Sequence, residues 1–266
     1  MIAEAADFAA SVALAADRTL GATDPWRPGA IGDDASAAFS HALLAAGWLD
    51  LAEDPALAPM AGPAGVELGR RRAPLGDIDA LLGGSPLVGA HAVGGLVRGG
   101  AEVAVTLAGH ELVRHSVLAA EPVAYGDDAG VRRVTAAHPL RAVAAEPART
   151  AWVAASTGYL AGLADHALGL ALAHTKDRRA FGSTLAALPP VQQRLADAAT
   201  ATRGLLLLAA ESPGEAALAH AAAAAVEVTA ACHQVTGAIG FTLEFPLHRA
   251  SRRARAMQLW IDSFLP

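Results

Sequence analysis

The chain has 266 residues, enough to bury a full hydrophobic core, with a formal charge of −6 and an isoelectric point near 5.9. That charge supplies no basic field for phosphate neutralisation, which argues against nucleic-acid binding. A single cysteine, Cys232, excludes internal disulfides and thiolate metal clusters and fits a reducing, cytoplasmic setting. Hydrophobic residues make up 53% and aromatics only 5%, and the excess is alanine with leucine and valine, a mixture that favours closely packed helices over sheets.

Glu4 and Asp7 precede any basic residue, the wrong polarity for a secretory signal or transit peptide, so the mature chain is expected to start here. Residues 2–21 space their apolar side chains three and four apart, which predicts an amphipathic helix closing at Gly21. A turn through Pro25, Trp26 and Pro28 follows. Asp33 or Asp34 is placed to cap a helix over 35–49, and 64–72 is a third helical segment weakened by Gly65 and Gly69. Together they predict an N-terminal helical domain over 1–82. The longest stretch without Asp, Glu, Lys or Arg, residues 80–97, contains Pro86, His91 and five glycines, so it is read as a loop with buried turns and not as a membrane span.

Over 83–147 glycine rises and the helical period is lost, with short β-compatible runs at 102–107, 116–119 and 131–135, which predicts a shortened β domain. From 148 to 266 helices are expected at 148–179, 188–211, 214–236 and 245–262, broken at Phe181-Gly182, Ser212-Pro213-Gly214 and Gly237 to Gly240. Connections this short force antiparallel neighbours, hence an up-down four-helix bundle in a mainly α protein.

The ten histidines form no metal-binding pair on a predicted helix. His110 and His115 come nearest and are read as polar or partly buried side chains of the β segment. There is no nucleophile elbow, Walker loop or dinucleotide fingerprint. Two segments do carry a signal: 165–195, which joins two long helices through Arg178-Arg179-Ala180-Phe181-Gly182, and 233–255, where Gly237 and Gly240 break one helix before another begins near Pro246.

At these residues the sequence resembles the acyl-CoA dehydrogenase family, flavoproteins with an N-terminal helical domain, a middle β domain and a C-terminal four-helix bundle. The family's Arg-x-x-Phe-Gly turn matches Arg178, Phe181 and Gly182, and its Gln-x-x-Gly-Gly-x-Gly turn matches Gln234, Gly237, Ala238 and Gly240, with alanine in place of one glycine. The resemblance implies that these turns bind the adenosine diphosphate half of an FAD whose flavin ring sits in a neighbouring subunit. Arg178 would fork onto the pyrophosphate, Phe181 and Gly182 would meet the adenine region, and Gln234 with the Gly237-Ala238 backbone would contact the far end of the same cofactor.

Departures from the family matter equally. A member that oxidises a thioester keeps a glutamate base at one of two places. One aligns with Ile261, followed by Asp262 and Ser263, and the other lies 29 residues before Phe181, where this chain has Trp152. Neither can take a proton, so no catalytic residue is assigned. Glu244 and Asp262 are the substitutes a relocated base would need. Stretches that line the flavin ring in the family are missing from 83–147, and Pro189 stands where a glutamine is expected. The resemblance therefore implies a shortened, non-catalytic subunit of a heteromeric acyl-CoA dehydrogenase, sharing FAD with a larger partner in an α2β2 heterotetramer. The segment from Gly240 through Arg252-Arg253-Ala254 resembles the bacterial subgroup that dehydrogenates steroid side-chain CoA thioesters. The alternatives are a self-sufficient enzyme using Glu244 or Asp262, and a cofactor-free structural subunit.

Overall fold

Glycine and alanine set how closely the helices approach. The computed structural model describes residues 2–21, 33–83, 89–91, 95–98, 103–108, 110–123, 131–211 and 213–264. The N-terminal helices are α1 (Ile2–Thr19), α2 (Asp33–Ala45), α3 (Ala61–Arg70) and α4 (Leu75–Gly83), with single 3-10 turns at Trp48–Ala52 and Ala58–Met60. The expected turn through Pro25, Trp26 and Pro28 lies outside the described residues. The bundle helices are α5 (Ala148–Asp177), α6 (Pro189–Ala210), α7 (Glu215–Thr236) and α8 (Leu247–Phe264). They follow the expected order, with α5 touching α6, α7 and α8.

Helix α3, read from sequence as weakened by its glycines, is where the N-terminal helices join the bundle. A Cβ on Gly65 would lie 2.3 Å from the Ala155 carbonyl oxygen, and one on Gly69 would lie 2.0 Å from that of Tyr159. In return Gly158 and Gly162 of α5 leave room for the Gly62 and Val66 carbonyls, at 2.0 and 2.1 Å from a hypothetical Cβ. The glycines cost helix propensity, and the backbone contact they permit offsets it. Residues 151–164 of α5 are buried on every side, so this helix is the axis of the molecule.

The uncharged run 80–97, expected as a loop, is instead the last turn of α4 followed by strands β1 (Gly89–His91) and β2 (Leu96–Arg98). Three-residue strands are too short to show a period of two. The sheet is completed by β3 (Val103–Ala108), β4 (Glu111–Pro122) and β5 (Val131–Ala144), in the order β1-β3-β4-β5-β2. Among the described residues β1 and β3 pair in parallel and the other neighbours pair antiparallel. Strands β4 and β5 far exceed the expected runs 116–119 and 131–135. Register shifts between Val113 and His115 and between Val117 and Ala119 interrupt the alternation that would have revealed them. His115, half-buried as expected, pairs its Nε2 with the Thr106 hydroxyl at 2.9 Å, while His110 sits exposed in the turn between β3 and β4.

In the N-terminal core Asp77 is 1% exposed and accepts a 2.5 Å hydrogen bond from the Ser40 hydroxyl. Burial pushes its carboxyl up to about 7. Among the described residues one helical stretch, Glu215–Phe241, has the length and apolar composition to cross a membrane, and half of its apolar window is buried against the rest of the chain. It consists of α7 and the 3-10 turn after it, and α7 packs on α5, α6 and α8.

The α3–α5 contact generates a pair of opposite expectations. Gly158→Leu must push α3 away from α5 and should destabilise the chain by about 3 kcal/mol. Gly169→Ala, on the same helix with nothing within 4 Å of its Cβ position, should stabilise it by about 0.5–1 kcal/mol. Urea midpoints of the two variants check both signs.

Candidate functional site

The first turn is a β-hairpin set between α5 and α6. Helix α5 ends as Arg178 turns extended, with its N–H still donating to the His174 carbonyl. Strands β6 (Arg179–Ala180) and β7 (Ser183–Thr184) then pair across the two-residue turn Phe181-Gly182. Both turn residues have positive φ, +54° and +83°, the combination that a tight two-residue hairpin requires. Glycine adopts it freely, whereas phenylalanine does so at a cost of about 1–3 kcal/mol. Phe181 is nevertheless 92% exposed, so no burial offsets that strain. The Arg178 guanidinium is also exposed and has no hydrogen-bond or ion-pair partner among the described residues.

The second turn ends α7. Gly237 has φ +67° and ψ −148°, a conformation that side-chain-bearing residues rarely adopt, and its N–H donates to the His233 carbonyl. A single 3-10 turn, Gly237–Phe241, follows. Gln234, Gly237 and Ala238 are exposed and line one groove of about 600 Å3, together with His233, Phe241 and Ser251. Gln234 and Gly237 also line a second groove of about 420 Å3, shared with Leu185, Pro190, Val191 and Arg194. The two turns are linked through Leu185, whose N–H donates to the Arg178 carbonyl at 2.8 Å while its side of the groove faces Gln234. Of the sequence-derived set, Gln234, Gly237 and Ala238 share one groove. Arg178, Phe181 and Gly182 stand on the adjoining hairpin and line neither groove.

His233 is 7% exposed, stacks on Phe241 with ring centroids 4.4 Å apart, and has a buried Nδ1 with no hydrogen-bond partner. Burial holds its imidazole below the usual histidine range, and the nearby His248 adds to the effect. His248 is fixed by an Nδ1–H bond to the Phe245 carbonyl. Cys232 next to it is buried and its thiol is pushed up to about 12, which removes it from thiolate chemistry.

The two places where the resemblance would look for a base are filled. Trp152 and Ile261 are each 1% exposed. The Trp152 Nε1–H donates to Asp79 Oδ1 at 3.1 Å. Asp79, fully buried, is forked by the Arg98 guanidinium at 2.8 and 2.5 Å, and Arg98 in turn lies 4.7 Å above the Trp260 ring. Four side chains from α4, β2, α5 and α8 therefore occupy this interior as a satisfied polar cluster. Glu244 and Asp262 are exposed.

Residues 148–261 match the acyl-CoA dehydrogenase C-terminal domain. The bundle belongs to the acyl-CoA dehydrogenase family. A 112-residue segment is 35% identical to the probable acyl-CoA dehydrogenase FadE25 of Mycobacterium tuberculosis, covering 37% of this chain and 29% of that relative. The match thus spans under a third of the relative's length. The fold likeness extends over nearly the whole chain. It is similar to a chain of the ChsE4-ChsE5 complex from Mycobacterium tuberculosis, with a TM-score of 0.70 at 18% identity over 97% of this chain and 93% of that one. A variant of the Tcur3481-Tcur3483 steroid ACAD gives 0.65 at 18% identity over 98% and 93%. The acyl-CoA dehydrogenase fold, with N-terminal helices, a small sheet and a helical bundle, is therefore that of this chain.

Neither the Asp79–Arg98 pair nor the place of Arg194 beside Gln234 in the second groove is named from the sequence above. The first had a signal, since these are the two charges that bound the uncharged run 80–97. The quartet makes a stability prediction: Asp79→Ala strands a buried guanidinium and should cost about 3–5 kcal/mol, whereas replacing an exposed acid, as in Asp262→Ala, should stay within about 0.5 kcal/mol. Thermal and urea unfolding compare them directly.

Proposed function

We propose that this chain is a non-catalytic subunit of a heteromeric, FAD-dependent acyl-CoA dehydrogenase, holding the adenosine diphosphate portion of a cofactor shared with a larger partner. The observation that carries this reading is the filled interior: where the family keeps its glutamate, this chain has Trp152 and Ile261, both buried, and Trp152 is committed to Asp79. Glu244 and Asp262, exposed on the surface, lack the shielded setting that would tune a carboxylate for α-proton removal.

The residues present fit one half of FAD. Arg178 is an exposed guanidinium with a free fork for pyrophosphate oxygens. Phe181 is an exposed ring held in a strained turn with Gly182, which stabilises nothing in this chain and is available to an adenine face. Gln234 offers an amide, and at Gly237 and Ala238 the backbone is open to close approach. When bound, FAD supplies the hydride acceptor for α,β-desaturation of an acyl-CoA thioester. This chain's part is to bind and orient the nucleotide end, while the partner supplies the base and the surroundings of the flavin ring.

A heteromeric assembly with a steroid side-chain CoA as substrate is favoured by two fold neighbours, the ChsE4-ChsE5 complex and the Tcur3481-Tcur3483 steroid ACAD. The run from Gly240 through Ala254 supports the same subgroup, and an α2β2 arrangement follows from it.

The test is FAD content per assembly after gel filtration of the chain co-produced with its partner. A charge-assisted contact contributes roughly 1.5–3 kcal/mol, so Arg178→Ala should weaken FAD retention about ten- to a hundredfold and Arg178→Lys should recover part of it. Glu244→Gln combined with Asp262→Asn should leave both flavin content and turnover unchanged. Equal flavin in wild type and Arg178→Ala, or a loss of turnover by orders of magnitude in the double variant with FAD still bound, would contradict the assignment.

A further inference from the structure

The turn between α7 and α8, residues 237–246, is held to the end of the bundle by imidazoles. Phe241 stacks on His233 of α7 with ring centroids 4.4 Å apart. Phe245 meets His174 of α5 edge to face at 5.6 Å, and its carbonyl accepts the Nδ1–H bond of His248 from α8 at 2.8 Å. Three helices thus reach the two phenylalanines of the turn through groups that can each take a proton. No acid is paired with them: among the described residues none of the three imidazoles is hydrogen-bonded or ion-paired to a carboxylate. The charges on the surrounding elements are mostly positive. Helix α5 continues from His174 to Lys176 and the exposed Asp177, α8 adds Arg249 and Arg252 after His248, and α6 brings Arg194 to the groove beyond Gln234. The turn carries Glu244, exposed, and the nearest acid on α7 is Glu227, almost two turns back and also exposed.

We propose that His233 is the proton-sensitive pin of a latch, which when neutral holds Phe241 and the turn 237–246 against the bundle and when protonated releases them. Its Nδ1 is buried without a hydrogen-bond partner and faces Gly240, where even a Cβ would lie 3.1 Å away. A neutral ring can carry its hydrogen on Nε2 and leave Nδ1 bare, whereas a protonated ring must place an N–H on both nitrogens. The second N–H would then point at packed backbone with no acceptor. Stacking a cation on Phe241 gives some attraction back, but less than a buried charged donor loses when it is left unpaired. The nearby imidazole of His248 makes a positive charge costlier still, and burial with His248 holds the His233 ring below the usual histidine range. The closed turn therefore binds fewer protons than the released one. Its stability is fully present above the ordinary histidine value, about 6.5, and is lost as pH falls from there through the lowered value. Release would reshape the groove of about 600 Å3 that His233, Phe241 and Ser251 line. The latch is a property of this chain alone and does not rest on the cofactor reading.

Amide hydrogen exchange of the full chain between pH 8 and pH 5, corrected for the intrinsic pH dependence of exchange, tests the proposal. Protection of residues 238–246 should fall about tenfold for each unit by which the His233 value is lowered, with the loss below pH 6.5. Helix α4 is the internal reference, because the raised carboxyl of Asp77 makes its surroundings more stable and not less as pH falls. His233→Phe keeps an aromatic stack that cannot titrate and should make protection of the turn independent of pH, while His220→Gln, an exposed histidine of the same helix, should behave as wild type. A wild-type turn whose protection does not change with pH, or an equal change in His233→Phe, overturns the inference. Should His233→Phe fail to fold, NMR titration of the wild-type histidines decides: a His233 ring that titrates below the ordinary value together with the Phe241 amide supports the latch. A His233 ring that titrates at the ordinary value, or with no response at Phe241, overturns it.

Discussion

A carboxylate and a guanidinium withdrawn from water must meet in good geometry, because either one alone carries a desolvation penalty of several kcal/mol. Asp79 and Arg98 meet on α4 and β2, forked at 2.8 and 2.5 Å, and two indoles complete the cluster, Trp152 from α5 by a hydrogen bond and Trp260 from α8 by its face. The N-terminal helices, the sheet and both ends of the bundle sequence are thereby held in one arrangement. A shift of any of these elements would separate a buried charge from its partner. A hydrophobic quartet of similar volume could be as stable, so what the ion pair adds is specificity of docking. The same cluster commits Trp152, one of the two positions at which the resemblance would look for a base, to a buried hydrogen bond with Asp79.

The strained and unsatisfied features of the described residues gather at helix ends near the surface, on a framework that the packing of α3 on α5 fixes. Phe181 is strained and exposed, Gly237 takes a glycine conformation at the end of α7, and His233 is buried with an unpartnered nitrogen behind Phe241. Each of these costs stability within the isolated chain, and such costs cluster where a ligand or a partner is met. The exposed cations Arg178 and Arg194 stand beside them, on a chain whose net charge is −6.

Much of this was legible in the sequence. The bundle helices could be placed because their breaks at Phe181-Gly182 and at Gly237 are chemically distinct from the Ala-rich runs between them, and the motif residues fall on the turns those breaks create. The sheet was underestimated because β4 and β5 are bulged and largely exposed, so neither alternation nor hydrophobic runs mark them. Helix α3 was undervalued for a related reason: Gly65 and Gly69 weaken a helix read alone, and only the opposing carbonyls of Ala155 and Tyr159 explain them. Asp79 and Arg98 lie 19 positions apart in sequence, across a stretch with no periodic signal, so their pairing is a tertiary fact. Arg194 sits on a regular helix and becomes notable only when the end of α7 folds against it.

The central claim is that this chain contributes part of a shared cofactor site and no complete one. It is tested most directly by native mass spectrometry, with flavin absorbance, of the chain purified through a tag from cells that also produce its partner. A shared half-site predicts two unequal chains in equal number, with FAD present in that assembly and absent when this chain is purified alone. A yellow homo-oligomer of this chain carrying one FAD per copy would contradict it.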